Sequence, residues 1–470
     1  MRTFMALLVI NGFALFLFST DIRAETNSLP AQSMDADFLQ QLQVLDLETA
    51  QRFALENSPN LAAAAERVNQ ASERVNQARA SYFPTLDADA SATRVDLSNN
   101  AEDDLQDQFG QLNPNARVDN PQDYYQAGLV ASWIVFDGFR REFSNALADY
   151  GEEASQAALT ESRRLLLSAV ADSYYLAQLQ RKNIGIADAD EAFQKRQVEE
   201  ARARYRVGTG SFSDVLNFEV QVNVARSARN DFTRAYKVAR VGLAALMGVP
   251  DAYFSASLDL AALRKETETE MTPPDPETHL DYAFVHRSDI EQSEAILKQT
   301  GASVGIARSR FYPSLQLAGS VDGEKENSAS MGKNDFGNTV GLYLTYRLYS
   351  GGERRARLAE AKFVEREATE NLRSTTIRVA AEVRDAIANV TSAQYELELQ
   401  RKNAALVTEN RNLVDKEYKA GQASLVRLNE AQRDLIQAQG RLALARVGLL
   451  QTLKNLDTST GAILEPFNGP

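Results

Sequence analysis

Arg79-Ala-Ser-Tyr-Phe-Pro-Thr-Leu86 and Arg308-Ser-Arg-Phe-Tyr-Pro-Ser-Leu315 are two versions of one octapeptide, set 229 positions apart in a chain of 470 residues. Proline removes a backbone donor and pushes the preceding residue toward extended backbone, so each copy marks the end of a helix. The residues after each proline alternate with period two, the pattern of a strand with one apolar face. Leu86, Ala88, Ala90 and Ala92 alternate with Asp87, Asp89, Ser91 and Thr93 in the first copy. Leu315, Leu317 and Val321 oppose Gln316, Ser320 and Asp322 in the second. Each strand has a return partner. Tyr125, Ala127, Leu129, Ala131, Trp133 and Val135 share one face, as do Val340, Leu342, Leu344, Tyr346 and Leu348.

Outward from these strands the duplication continues. The offset of 229 also brings Ala54 onto Ala283 and Leu61 onto Ile290. An offset of 213 relates Phe136-Asp137-Gly138 to Tyr349-Ser350-Gly351, and Tyr205-Arg-Val-Gly208 to Tyr418-Lys-Ala-Gly421. Ala239-Arg-Val-Gly-Leu243 recurs as Ala445-Arg-Val-Gly-Leu449 at an offset of 206. The order is preserved and only spacers differ, which is the mark of a duplicated chain. The first spacer change, 16 residues, falls in polar sequence around Asn99-Asn100 and Asn113-Pro114-Asn115 and reads as a loop. The second, 7 residues, is one heptad, and reads as a turn pair deleted from a packed helix without changing its apolar face.

Between the strands lie very long helical patterns. No proline occurs from Phe139 to Tyr205, and Leu167, Val170, Tyr174 and Ala177 recur at 3-4 spacing. Ala380, Val383, Ile387, Val390 and Leu397 repeat the pattern. Helices from about Phe139 to Val207 and Glu353 to Ala420 would each extend ~100 Å at 1.5 Å per residue. A soluble coiled-coil rod would account for the helices but not for the strands. Strands of ~10 residues with one apolar face and aromatic ends match transmembrane barrel strands. Four strands cannot close a barrel, since the smallest bacterial examples use about 8. Open edges in lipid leave backbone groups unpaired, so the chain must oligomerise.

Composition agrees. Arg2, the apolar run Phe4–Phe18 and the small residue Ala24 have the layout of a cleavable secretory signal. No cysteine is present, which excludes disulfides, thiolate metal sites and thiol nucleophiles. A net charge of −13 argues against a nucleic-acid partner, because phosphate binding needs the opposite sign. His279 and His286 have no ligand cluster in the sequence around them, and no catalytic residue, metal or cofactor is expected.

The ordered, duplicated motifs Ala54-x-x-Asn57-Ser-Pro59-Asn-Leu61, Tyr82-Phe83-Pro84, Phe136-Asp137-Gly138 and Tyr205-Arg-Val-Gly208-Thr-Gly210 resemble the TolC outer-membrane factor family from about Leu45 to Leu456. The resemblance implies a mixed α and β membrane protein. Its homotrimer makes a 12-stranded β-barrel, four strands per subunit, continued by a long α-helical coiled-coil barrel through the periplasm. The expected division is a signal peptide at 1–24, an N-terminal segment at 25–44 and a first repeat at 45–249, with strands about 85–95 and 124–136. A linker at 250–276 in the equatorial region comes next, then a second repeat at 277–456, with strands about 314–323 and 338–349, and a tail at 457–470.

The resemblance also implies passive conduction, as the outer-membrane exit duct of a tripartite efflux or type I secretion system, with outer-membrane lipid around the barrel. A periplasmic adaptor and an inner-membrane pump are the expected partners. The adaptor-contact tips would be Gly208, Thr209, Gly210, Ser211 and Gly421, Gln422, Ala423, Ser424. The gate would fall at Asp214, Asn217, Arg427 and Glu430. Well-known members of the family carry Asp at both second-copy gate positions; Arg427 departs from that acidic ring. Asp214 and Arg427 occupy equivalent positions, and opposite charges there are placed to pair across hairpins as a latch. The alternative is a periplasmic coiled-coil adaptor, which would need lipoyl-like and barrel domains that the sequence does not contain.

Overall fold

The structure, a computed structural model, describes Leu39, residues 42–112 and residues 118–467. The expected signal at 1–24 lies outside the described residues, as do most of 25–44 and the last three residues of the tail. The chain order is β1 (Val44–Leu45), α1 (Leu47–Asn57), α2 (Pro59–Ala80), β2 (Thr85–Val95), α3 (Asn99–Leu112), β3 (Gln122–Phe136), α4 (Arg140–Arg206) and α5 (Phe212–Leu246). After β4 (Asp259–Leu260) come α6 (Pro276–His286), α7 (Ser288–Ser309), β5 (Ser314–Glu326), β6 (Phe336–Thr345), α8 (Glu353–Lys419) and α9 (Leu425–Thr460).

The two long helices, α4 and α8, have 67 residues each. Their buried seams are narrow: Leu167, Val170, Ala171, Tyr174 and Ala177 on α4, and Val379, Val383, Ala386, Val390 and Leu397 on α8. Such 3-4 spacing leaves most of the helix surface for neighbouring coils. Each long helix packs against its own hairpin partner, α5 or α9, and against α7. Helix α2 lies on α4, so α2 and α5 share the length of α4. The junction there is tight. Gly248 ends α5 at φ +74°, and a Cβ on it would lie 2.2 Å from the Asn57 carbonyl oxygen at the end of α1. Gly461 ends α9 in the same way against the His286 carbonyl.

Two readings of the spacers need correction. The 16-residue excess is not simple loop, because Asn99–Leu112 forms the 14-residue helix α3. Leu105, Phe109 and Leu112 supply a helical i, i+4, i+7 spacing that the surrounding acids and amides disguise. Nor is a heptad missing. Helices α5 and α9 have 35 and 36 residues. The Ala-Arg-Val-Gly-Leu match slips by one heptad along two helices of nearly equal length, because heptad sequences resemble themselves when shifted by seven.

The strands form one antiparallel sheet in the order β2-β3-β5-β6, so the two repeats meet at β3 and β5. Pairings such as Leu86↔Ala131, Trp133↔Leu317 and Leu317↔Leu342 gather the apolar residues on one face. Asp89↔Gly128 and Gly128↔Asp322 place the acids on the other. Strand β6 stops at Thr345, opposite Ser314, the first residue of β5. Tyr346 to Tyr349, expected as strand, therefore have no partner strand among the described residues, and Leu348 and Tyr349 are 81% and 84% exposed. The outer edges of β2 and β6 are likewise unpaired among the described residues.

At mid-height a belt wraps the helices. Val44 and Leu45 pair in parallel with Asp259 and Leu260, and Leu45, Leu258 and Leu260 bury against Val170, Tyr174 and Leu243. Arg181 reaches both the Leu260 carbonyl and the Asp259 carboxylate. A polar network closes the belt. The Arg287 side chain is fully buried, pairs with Asp289 at 2.8 Å and Glu382 at 2.9 Å, and donates to the Ser459 carbonyl at 2.7 Å. Arg164 pairs with Glu161 and donates to the Thr458 carbonyl at 2.7 Å. Two guanidiniums thus cap the end of α9, where unpaired carbonyls carry the negative pole of the helix dipole.

Burial alone would raise the pKa of Asp289, but Arg287, with Arg378 and Arg164 beyond it, holds it below its ordinary value. Burial likewise opposes ionisation of Glu161, and Arg164 and Ser288 outweigh it. Stability from these carboxylates is fully present above the ordinary carboxylate range and is lost as pH falls through their depressed folded values. Arg287→Met should cost up to about 3–5 kcal/mol, the range for a buried carboxylate that loses its partner, with Arg378 at 3.1 Å from Asp289 holding the loss toward the lower end, and should flatten the fall in thermal midpoint below about pH 4. Circular dichroism melts against pH check both. Gly248→Ala should destabilise by at least ~1–2 kcal/mol through left-handed backbone alone. Gly185→Ala, mid-helix with nothing within 4 Å of the added carbon, should gain roughly 0.5–1 kcal/mol. Equal melts for these two glycine variants would contradict the packing described.

Candidate functional site

The two helical hairpins end in the same turn. After α4, the Gly208 amide donates to the Tyr205 carbonyl at 3.0 Å and the Thr209 amide to the Arg204 carbonyl at 2.9 Å. After α8, Gly421 donates to Tyr418 at 3.0 Å and Gln422 to Glu417 at 2.8 Å. This is the Schellman pattern, and it requires left-handed backbone at the glycine; Gly208 and Gly421 sit at φ 79° and 75°. No heavy atom lies within 4 Å of a Cβ built on either, so the backbone conformation, not crowding, demands glycine. Ser211 and Ser424 then start the return helices, accepting from the amides of Ser213 and Arg427 through their side chains.

The tips stand side by side around a small core. Phe193, Val198 and Ala201 of α4, Val215 and Phe218 of α5, Val414 and Tyr418 of α8, and Leu428 of α9 form one buried cluster. Phe218 meets Tyr418 edge-on at 6.3 Å, and the Arg204 guanidinium lies over the Tyr418 ring at 5.0 Å. Burial first, and then the charge of Asp214, raise the pKa of the Tyr418 phenol. Polar contacts fasten the hairpins to each other: Asn429 donates to Asn217 at 2.8 Å, Gln432 to Asp190 at 2.8 Å and Gln197 to Asp415 at 3.3 Å.

The gate candidates divide. Asn217 is a contact between hairpins, made with Asn429, a residue the sequence pattern does not single out. Glu430 is exposed on the face of α9. Arg427 does not pair with Asp214 within the chain; it pairs with Glu417 of its own hairpin at 3.4 Å. The offset of 213 that relates Arg427 to Asp214 also relates Glu417 to Arg204. Each hairpin therefore carries one acid and one base at the same two places, with signs exchanged. That exchange was visible in the sequence, and it explains Arg427 by local charge balance. The expected latch within one chain is not formed.

At the other end of the long helices the sheet presents its apolar face outward and leaves two edges open. Leu342, Leu344 and Val340 are 64%, 69% and 79% exposed, a band of apolar surface that water does not favour. Long paired coils ending in matched glycine turns, joined to an open sheet with one apolar face, define a subunit of a membrane-spanning duct. The profile described as Outer membrane efflux protein matches residues 52–249 and 280–462. The chain belongs to this family, and its place is the outer membrane.

Relatives agree in length. The chain is 26% identical over 422 residues to the pyoverdine export outer membrane protein OpmQ of Pseudomonas aeruginosa, covering 88% of this chain and 85% of the relative. It is 25% identical over 397 residues to the solvent efflux pump outer membrane protein SrpC of Pseudomonas putida, covering 83% and 79%. Among solved structures, the outer membrane protein VceC of Vibrio cholerae superposes with a TM-score of 0.72 at 19% identity, covering 91% of this chain and 98% of the other.

Local pairing at the tip makes a definite prediction. Arg427→Glu should set two acids against each other within one hairpin and raise resting conductance in planar bilayers. Glu417→Arg added to it should restore the wild-type conductance, whereas Asp214→Arg should not. Rescue by the Asp214 change instead would mean that the latch forms between subunits.

Proposed function

We propose that this protein is the outer-membrane exit duct of a tripartite efflux system, conducting its cargo passively. The reading rests on one observation above others: a four-stranded sheet with a lipid-suited face and both edges unpaired among the described residues. In lipid each unsatisfied backbone group costs several kcal/mol, so edges β2 and β6 must find partners. Three copies joined edge to edge would close a twelve-stranded barrel. The hairpins would then line up as a helical tunnel below it, with their glycine turns at the periplasmic end. Energy and selection come from an inner-membrane pump, and a periplasmic adaptor grips the Gly208–Ser211 and Gly421–Ser424 turns. The named exports of OpmQ and SrpC differ from each other, so the cargo of this chain is set by its partner pump.

The absence of native cysteine makes introduced cysteines unambiguous reporters. Light scattering in mild detergent should give the mass of a trimer, and a stable monomer would remove the architecture. Thr209→Cys should crosslink to an adaptor in cells, and an epitope inserted near Asn100, in the first turn of α3, should label intact cells. Labelling only after permeabilisation would invert the orientation.

A further inference from the structure

Where the barrel joins the helices, the chain forms an open cavity of about 620 Å³, bordered by Ile134, Ser314 and Gln316 of the sheet. By the strand register these residues lie on the polar face, the face that carries Asp89 and Asp322 higher up. If the sheet closes as proposed above, the cavity opens on the lumen, and the inference rests on that reading. Its lining is strongly basic: Arg140, Arg141, Arg310, Arg347 and Arg354, against the carboxylates Asp137 and Glu353.

The arginines have different duties. Arg141 donates to the carbonyls of Ile134 and Val135 at 2.7 and 3.0 Å and lies over Tyr82 at 5.2 Å. Arg354, its equivalent in the second repeat, donates to the Leu348 carbonyl at 3.2 Å and lies over Phe311 at 5.3 Å. These two fasten sheet to helix, and their guanidiniums are committed. Arg347 stands 4.0 Å from Glu353, which Arg357 holds more closely at 2.7 Å. Arg140 and Arg310 are exposed, and among the described residues neither has a carboxylate within ion-pair distance. The helix ends add to the imbalance. Asp137 accepts from the first amides of α4 at 2.9 and 3.2 Å, but Ser350 replaces it before α8, whose N-terminus has no side-chain cap.

We propose that this cavity is a transit site for anionic groups on the cargo, carboxylate, phosphate or sulfate, held by Arg140 and Arg310. Guanidinium forks suit such oxyanions, and rings of Arg are a recurrent device for passing anions. The charge then alternates along the duct. A cargo anion leaves the helical tunnel, is drawn to a basic collar, and is released toward an acidic barrel wall that does not retain it. Three chains would repeat the collar around the axis.

The test uses the detergent-purified full-length trimer and inorganic pyrophosphate, titrated calorimetrically at low ionic strength. We expect saturable binding that weakens with added salt. Affinity should fall about tenfold or more in Arg140→Gln/Arg310→Gln, as expected when charged hydrogen bonds to an oxyanion are lost, and should persist in Arg140→Lys/Arg310→Lys. If the double Gln variant fails to assemble, each single Gln variant carries the same comparison. Wild-type trimer that shows no saturable binding, or a Gln variant that binds like wild type, would overturn the proposal. Light scattering on the same sample separates this from failure of the duct reading, since a protein that is not trimeric overturns both.

Discussion

Every part of this molecule depends on the need to satisfy backbone hydrogen bonds where no water can do it. A strand edge in hydrocarbon has no alternative partner, and four strands per chain leave two edges open. Closure therefore requires other copies. That requirement reaches down the molecule, because the helices leaving the sheet must then pack as coils around a shared axis. Narrow apolar seams with small residues on α4 and α8 suit such packing, since each helix has to offer surface to more than one neighbour.

The joints are polar, and their chemistry is suited to fixing directions. Arg141 ties the last carbonyls of β3 to the first turn of α4, and Arg354, in the matching position, ties the Leu348 carbonyl beyond the end of β6 to the first turn of α8. Arg164 and Arg287 cap the end of α9 within the belt and are balanced by Glu161, Asp289 and Glu382. A buried pair contributes little net stability, but its removal strands a charge, so it penalises any other arrangement of those helices. The belt and the collar thus hold the upper molecule in one geometry. The tips are held differently, by a small cluster around Phe218 and Tyr418 and a few amide contacts. Their contacts are local to the two turns, which suits the end that opens in the function proposed above.

The duplication shows what function has changed. Where the copies agree, at the Pro-led strands, the glycine turns and the glycine-ended return helices, the backbone leaves no choice. Where they differ, the differences are chemical. Only the first repeat carries α3 between its strands, the tip pair exchanges its signs, and Ser350 stands where the first repeat has Asp137. Two similar halves thereby build a wall whose charge is uneven around and along the axis.

Much of this was legible in residues alone. Period-two alternation after Pro84 and Pro313, a 67-residue helix without proline in each repeat and glycine at the two turns are local consequences of backbone sterics, and a sequence states them directly. The pairing of each strand with its return partner and the requirement for oligomers came from the same local rules. Other features depend on which surfaces meet. The equal lengths of α5 and α9 were hidden because a heptad repeat matches itself when slipped, and only packing against Asn57 and His286 sets the true ends. Helix α3 looked like loop because its apolar residues are few among acids. Arg427 looked like half of a latch until the turn brought Glu417 to 3.4 Å from it. The basic collar draws its residues from both repeats, from positions 140 to 354. Sequence determines what each segment can be, because sterics and periodicity act between near neighbours. The tertiary structure decides which charges face each other, because that depends on distances between segments that no local pattern encodes.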